Sequence, residues 1–270
     1  MYIADLHIHS RYSMATSKFL TPEYLDLWAR KKGIHILGTG DFTHPLWRQE
    51  LKEKLESAEP GLYKLKPELR LSEIPSGSFD PRFVVSGEIS TIYKKNGRTR
   101  KVHSLILLPG LEAADRLSGE LEKIGNIHSD GRPILGLDCH DLLDMTLSVC
   151  PDAMYIPAHI WTPHFSVFGA FSGFNSMEEC FEELTPHIHA VETGKLLDLH
   201  MLQGILRRVV DTHFLLVLRA DGLVRSATRN SLGARIDQYN AQPAFGRRNG
   251  AARARHACAD HDDVCIERFS

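Results

Sequence analysis

The chain lacks the features that mark several protein classes. It has five cysteines, Cys139, Cys150, Cys180, Cys258 and Cys265, an odd and widely scattered set. That argues against a secreted domain built on disulfides and makes a reducing cytoplasm the expected compartment. No apolar run approaches the ~20 residues needed to cross a bilayer. Met1 to Asp5 has neither the basic start nor the apolar stretch of an export signal, so no membrane partner is expected. Charge of one sign is also missing: the net value is −2, so the molecule as a whole carries no basic footprint for nucleic acid, and only local patches remain open. Gly194-Lys195 has the look of a phosphate loop, but Leu196 stands where Ser or Thr belongs and the earlier glycine is absent. What is present is 270 residues, 43% of them hydrophobic, enough to bury one substantial core.

Up to about residue 194 the pattern alternates between strand and helix. Strands are expected at 2–8, 34–38, 83–89, 102–108, 154–158 and 188–192. Between the first two, Thr21-Pro22 supplies a cap and a first-turn proline, Tyr24, Leu25 and Trp28 share a face, and Gly33 stops the helix. Further helices are expected at 111–124, 138–149 with Asp138 as cap, and near 177–184. Asn96-Gly97 signals a tight turn and a hairpin insertion. Such alternation predicts an α/β fold with a parallel sheet and crossover helices, open or closed into a barrel. Past about residue 195 the texture changes. Residues 202–218 are compatible with one helix, but 219–270 shows little periodicity, so a domain at 1–194 is followed by an atypical segment at 195–270, expected to be poorly ordered.

Asp5-Leu-His-Ile-His9 opens the chain. On a strand, His7 and His9 would share one face, because side chains repeat every two residues. A lone pair of this kind is more often two half-buried strand histidines. Here, however, Asp41 follows the second expected strand, Glu88 ends the third, His103 lies in the fourth and His159 follows the fifth. In a closed barrel the strand ends gather on one face, where such folds place their chemistry. Imidazole and carboxylate together suit zinc, manganese or iron, and a carboxylate such as Glu88 is able to bridge two ions. Ions about 4 Å apart clamp the attacking and leaving oxygens of a phosphoryl displacement and lower the pKa of a bound water toward about 7. No serine or cysteine nucleophile is then needed.

Taken with this opening, Leu37-Gly-Thr-Gly-Asp-Phe-Thr-His-Pro45, Ser86-Gly-Glu-Ile-Ser-Thr-Ile-Tyr93, Ser129-Asp-Gly-Arg-Pro133, Ile156-Pro-Ala-His-Ile-Trp-Thr-Pro163 and Val191-Glu-Thr-Gly194 run collinear with a known pattern. The chain resembles the PHP (polymerase and histidinol phosphatase) superfamily, and within it the endonuclease Q branch, often labelled helicase-associated. The resemblance implies a distorted (β/α)7, TIM-like barrel and a DNA repair endonuclease that nicks beside deaminated or damaged bases. It also implies two or three divalent ions, Zn, Mn, Mg or Fe. His7 and His9 would hold the first ion, Glu88 would bridge, and His103 and His159 would complete the second. Asp41 matches the aspartate of the superfamily's Thr-Asp-His string. Phe42 stands at the usual ligand histidine, with His44 as its substitute, and Met14 replaces an acid associated with a third ion.

The family's last Asp-x-His motif has no recognisable counterpart. Asp198-Leu199-His200 has only the spacing, and the barrel is expected to be incomplete at that end, as if the tail came from a shifted or rearranged reading frame. His256, Cys258, His261 and Cys265 have irregular spacing for a zinc site. Arg11, Lys18 and Trp161 are candidate DNA contacts, against the reading that they are surface and packing residues. Three functions stay open: a damage-directed endonuclease, a histidinol-phosphatase-like phosphoesterase for small monoesters, and a non-catalytic remnant that binds DNA or metal.

Overall fold

The computed structural model describes residues 3–72 and 79–193, together with the backbone of 214–218 and 224–228. The tail motifs around Asp198, His200 and His256 to Cys265 lie outside the described residues, as does most of the 195–270 segment.

The framework is a curled, mixed sheet. Strands β1 (Ala4–Asp5), β2 (Ile36–Gly38) and β5 (Arg82–Lys95) run parallel side by side, and the short β3 (Leu55–Ser57) and β4 (Tyr63–Leu65) hairpin attaches to the start of β5. Next comes β6 (Arg98–Leu108), antiparallel to β5 along the whole stretch from Val85↔Leu108 to Lys95↔Arg98. β7 (Ile134–Leu135) adds to the outer part of β5, and β8 (Met154–Pro157) pairs antiparallel with β6. β9 (Val191–Glu192) continues the curl, since the Ile160 N–H donates to the Glu192 carbonyl at 2.8 Å. β10 (Phe214–Leu218) pairs parallel with β9 and antiparallel with β11 (Val224–Thr228).

The expected parallel sheet is therefore corrected to a mixed one. Its cause is the Asn96-Gly97 turn, where φ values of 53° and 72° let two long strands fold back in two residues. The single helix compatible with 202–218 is also corrected, because Phe214–Leu218 is a strand. A short apolar run reads equally well as buried strand or buried helix.

Helix α1 (Pro22–Lys32) ends at Gly33, whose φ of 73° is the left-handed stop expected from the sequence. α2 (Pro45–Lys54) was not foreseen; its apolar face is sparse, Trp47 and Leu51 being its buried hydrophobics. α3 (Leu111–Glu122) and α4 (Cys139–Val149) fall where expected, and Asp138 caps α4 by accepting the His140 N–H at 2.9 Å. α5 (Met177–Phe181) is short and tightens into a 3-10 turn.

Alternation along β5 and β6 divides the interior. Ile106 and Leu108 join Val85 and Ile89 in the main core between the sheet and α3 and α4. Leu105 and Leu107 point the other way and, with Leu6, Ile156 and Ala190, form a small apolar plug inside the curl. Residues opposite one another in an antiparallel pair share a face, so the Glu88↔Leu105 and Ser90↔His103 pairings put Glu88 and His103 on the plug side. The site is built there.

Candidate metal centre

Glu88 is the floor of the site. Its carboxylate is 1% exposed, and groups from four separate segments converge on it. Oε1 lies 2.9 Å from His103 Nδ1, 3.3 Å from His159 Nε2 and 3.4 Å from His7 Nε2. Oε2 faces Arg132 Nη1 at 3.3 Å and His9 Nε2 at 3.7 Å. His103 Nδ1 and His159 Nε2 are themselves 3.1 Å apart. His7, His9, His159 and Arg132 keep part of their surface in solvent, so the centre is a buried acid beneath a partly open ring of nitrogens.

Local backbone delivers these groups. His7 and His9 do not lie within a strand as expected, because β1 ends at Asp5; both follow it on the loop leaving the strand, their rings 5.7 Å apart at 70°. Glu88 sits mid-strand rather than at a strand end, because β5 runs on to Lys95. His159 follows β8 with φ 28°, a value strained for a histidine and held by hydrogen bonds on both sides: its N–H to Glu192 Oε2 at 2.9 Å, and its Nδ1 with Thr162 Oγ1 at 2.9 Å.

A second ring of groups orients the first. His7 Nδ1 is 2.8 Å from Glu192 Oε2 and His9 Nδ1 is 3.0 Å from Asp41 Oδ1, leaving each Nε2 turned toward Glu88. Such a partner on the far nitrogen fixes the tautomer and raises the basicity of the near one. Asp41 is itself locked: its Oδ2 accepts the Ser10 N–H and hydroxyl, both at 2.6 Å, and the Ser13 hydroxyl at 2.9 Å. Glu192 is absent from the sequence-derived site. The signal was its place at the end of an expected strand, where an acid has no packing role.

Electrostatics follow the geometry. Burial pushes Glu88 toward its neutral form, but the charges of His7 and His103 override it and hold the carboxyl well below the usual range. Burial opposes charging of His7, yet Glu88 and Glu192 on either side raise it well above an ordinary histidine. His103 moves down, burial outweighing the pull of Glu88. Glu192 is held low, since His7 and the His159 N–H overcome its burial.

Two groups of this ring have donor atoms close enough to hold a cation: His7, His9 and Glu88, and Glu88, His103 and His159. They share Glu88. Imidazole and carboxylate are the donors that zinc, manganese and iron accept, and a shared carboxylate is the usual bridge of a paired site, so the residues present fit divalent ions. A third group, His140, Glu182 and Glu183, lies at the surface, where His140 already pairs with Asp141 and Glu183.

Of the other sequence-derived residues, Asp41 joins the centre through His9. His44 is turned elsewhere: it stands at the N-terminus of α2, its Nε2 contacts the His128 carbonyl at 3.0 Å and its ring stacks on Tyr12. Burial also lowers its pKa. Arg11 is paired with Glu50 at 2.9 Å, Lys18 rests over the Phe19 ring, and Trp161 packs against the main core.

A curled half-barrel α/β sheet with histidines and carboxylates gathered around one buried glutamate defines the class: a TIM-like α/β fold with a candidate metal centre. Two of the solved structures it resembles are of endonuclease Q. One is endonuclease Q in complex with a 27-mer duplex substrate with an abasic lesion at the active site; it shares 27% identity at a TM-score of 0.59, over 73% of this chain and 44% of that one. Another is the lesion-specific endonuclease PfuEndoQ from Pyrococcus furiosus, 25% identical at a TM-score of 0.62, over 81% of this chain and 47% of that one.

Among curated proteins, an uncharacterized protein of Methanocaldococcus jannaschii is 32% identical over 160 residues, 59% of this chain and 16% of that protein. The uncharacterized protein YqxK of Bacillus subtilis is 30% identical over 216 residues, 75% of this chain and 50% of that protein. The chain thus spans half or less of the length of each of these four proteins. No family model matches it.

Proposed function

We propose that this chain is a metal-dependent phosphodiesterase of the PHP type, built on a distorted (β/α)7 barrel, that nicks DNA beside damaged bases. The carrying observation is the convergence of His7, His9, His103 and His159 on the single buried carboxylate of Glu88. Four imidazoles around one acid are a poor structural device, since each costs desolvation that an apolar side chain would not. They are an apt ligand set. In this reading His7 and His9 would hold one divalent ion and His103 and His159 a second, with Glu88 offered to both. Ions bound there supply the Lewis acidity that activates water against a phosphodiester.

The chain's own residues do the rest. Asp41 and Glu192 fix the orientation of His9 and His7, so the nitrogens offered to the ions are set before binding. Thr162 and Glu192 hold His159 in its strained backbone. The apolar plug of Leu6, Leu105, Leu107, Ile156 and Ala190 supports the floor.

DNA as substrate rests on the likeness to endonuclease Q, which was crystallised on a lesion-bearing duplex. The test is cleavage by the full chain, loaded with manganese, zinc or magnesium, of duplexes containing uracil, hypoxanthine or an abasic site. A nick near the lesion that H7A abolishes is the expected result. Hydrolysis of a small phosphate monoester with DNA left intact would transfer the site to the phosphatase reading. A chain that retains no ion after dialysis would leave only a remnant.

A further inference from the structure

Arg132 touches the heart of the centre, yet neither the ligand set nor its orienting ring employs it. It reaches Glu88 Oε2 with Nη1 at 3.3 Å, the same oxygen that His9 faces. That is long for a charge-assisted hydrogen bond, which normally falls at about 2.7–2.9 Å. Among the described residues the rest of the guanidinium fork has no partner, and the side chain is 28% exposed at the mouth of the site. An arginine committed to neutralising a buried acid would be expected to engage it closely and with both arms.

The turn that carries Arg132 is braced on several sides. Asp130 Oδ1 accepts the Arg132 N–H at 2.9 Å and the Met14 N–H at 3.3 Å. Gly131 donates its N–H to the Tyr12 carbonyl at 2.9 Å and accepts the Thr43 hydroxyl at 3.1 Å. The Pro133 carbonyl takes the Ser90 N–H at 3.0 Å, joining the turn to β5. A Cβ on Gly131 would overlap the Asp41 carboxylate and come within 2.7 Å of Ser13 Oγ, so the backbone lies directly on the group that orients His9. A rigid turn tied to the same residues as the ligands thus presents a partly free guanidinium over the shared carboxylate.

We propose that Arg132 is the phosphate-binding residue of this centre, its guanidinium taking the non-bridging oxygens of a phosphodiester laid across Glu88. The assignment rests on the phosphoesterase reading above. A cation held by the histidines would compete with Arg132 for Glu88 and repel its charge, which would leave the fork free for an anionic substrate. The planar fork matches two phosphate oxygens at once, which lysine does not.

The test uses the full chain loaded with manganese, with bound metal counted by elemental analysis and inorganic phosphate as the probe in titration calorimetry. R132M and R132K are compared with wild type and with K123M, which removes a mostly exposed charge paired, among the described residues, with Glu120. The expected result is unchanged manganese in every variant, phosphate binding weakened about 100-fold in R132M and about tenfold in R132K, and no change in K123M. Phosphate binding by R132M equal to wild type overturns the assignment. So does loss of manganese in R132M, because Arg132 would then be supporting Glu88 instead of holding substrate. Wild type that takes up manganese but no phosphate overturns it while leaving the metal centre intact. Wild type that takes up no divalent ion fails one step earlier, at the phosphoesterase reading.

Discussion

Asp41 and His9 stand as a pair in which the acid touches the ring nitrogen facing away from the centre, Oδ1 to Nδ1 at 3.0 Å, while its other oxygen is consumed by Ser10 and Ser13. An oxygen that already accepts three hydrogen bonds has little capacity left for an ion. In the reading proposed above Asp41 orients His9, whereas its position in the sequence offered it as a direct ligand.

Asp41→Asn keeps the shape and removes the charge behind His9. Manganese affinity is expected to fall by about 10–100-fold, the usual effect of losing a group behind a ligand histidine. Calorimetric titration of the metal checks it, and an unchanged affinity would mean that His9 is not a ligand.

Ions that bind only the folded chain stabilise it in proportion to their excess. At about 100 times the dissociation constant, manganese is expected to add about 2.7 kcal/mol to unfolding stability in urea, with EDTA reversing the gain. His103→Ala, which removes a nitrogen from one of the two donor groups, should reduce that increment. A metal increment identical in wild type and H103A would show that the ions bind elsewhere.

Gly131→Ala inserts a methyl group where the turn meets Asp41 and Ser13. The cost is expected to be about 1–3 kcal/mol in urea unfolding, typical of overpacking. Metal affinity should fall with it, since Asp41 must shift. Stability and affinity both equal to wild type would contradict the close packing of this turn.

His140, at the surface of α4, is raised above an ordinary histidine by hydrogen bonds to Glu183 and Asp141. Its favourable contribution is therefore present at low pH and is lost as pH climbs through the folded-state midpoint. Titration of its ring proton by NMR is expected to give a midpoint above the ordinary value, and Glu183→Gln should bring it down. A midpoint insensitive to that substitution would remove Glu183 as the cause.

The ring of imidazoles around Glu88 was legible because its residue types do not fit the apolar patterns of the strands around them. His7, His9, His103 and His159 had no role in any apolar pattern, and Glu88 interrupted an otherwise apolar strand. What escaped was whatever depends on partners distant in sequence. Glu192 is 185 residues from His7, and its role appears only once β9 lies beside the loop that follows β1. His44 looked like a ligand by position; the helix that starts after it turned its ring toward His128. The antiparallel course of β6 was present in Asn96-Gly97, but the hairpin was read as an insertion rather than as a wall of the sheet.

That hairpin also sets an order of assembly. A two-residue turn brings Ser90 opposite His103 without any distant segment, an event that takes about 1–10 µs in isolated hairpins. Glu88 and His103 can therefore meet as soon as the local zipper closes. His7 must wait for the closure of a far longer loop, whose entropy cost grows with separation. If the centre binds ions as proposed, Glu88 and His103 would form a half-built trap for stray cations before the remaining imidazoles arrive, and free metal in the refolding buffer would become a kinetic variable as well as a thermodynamic one.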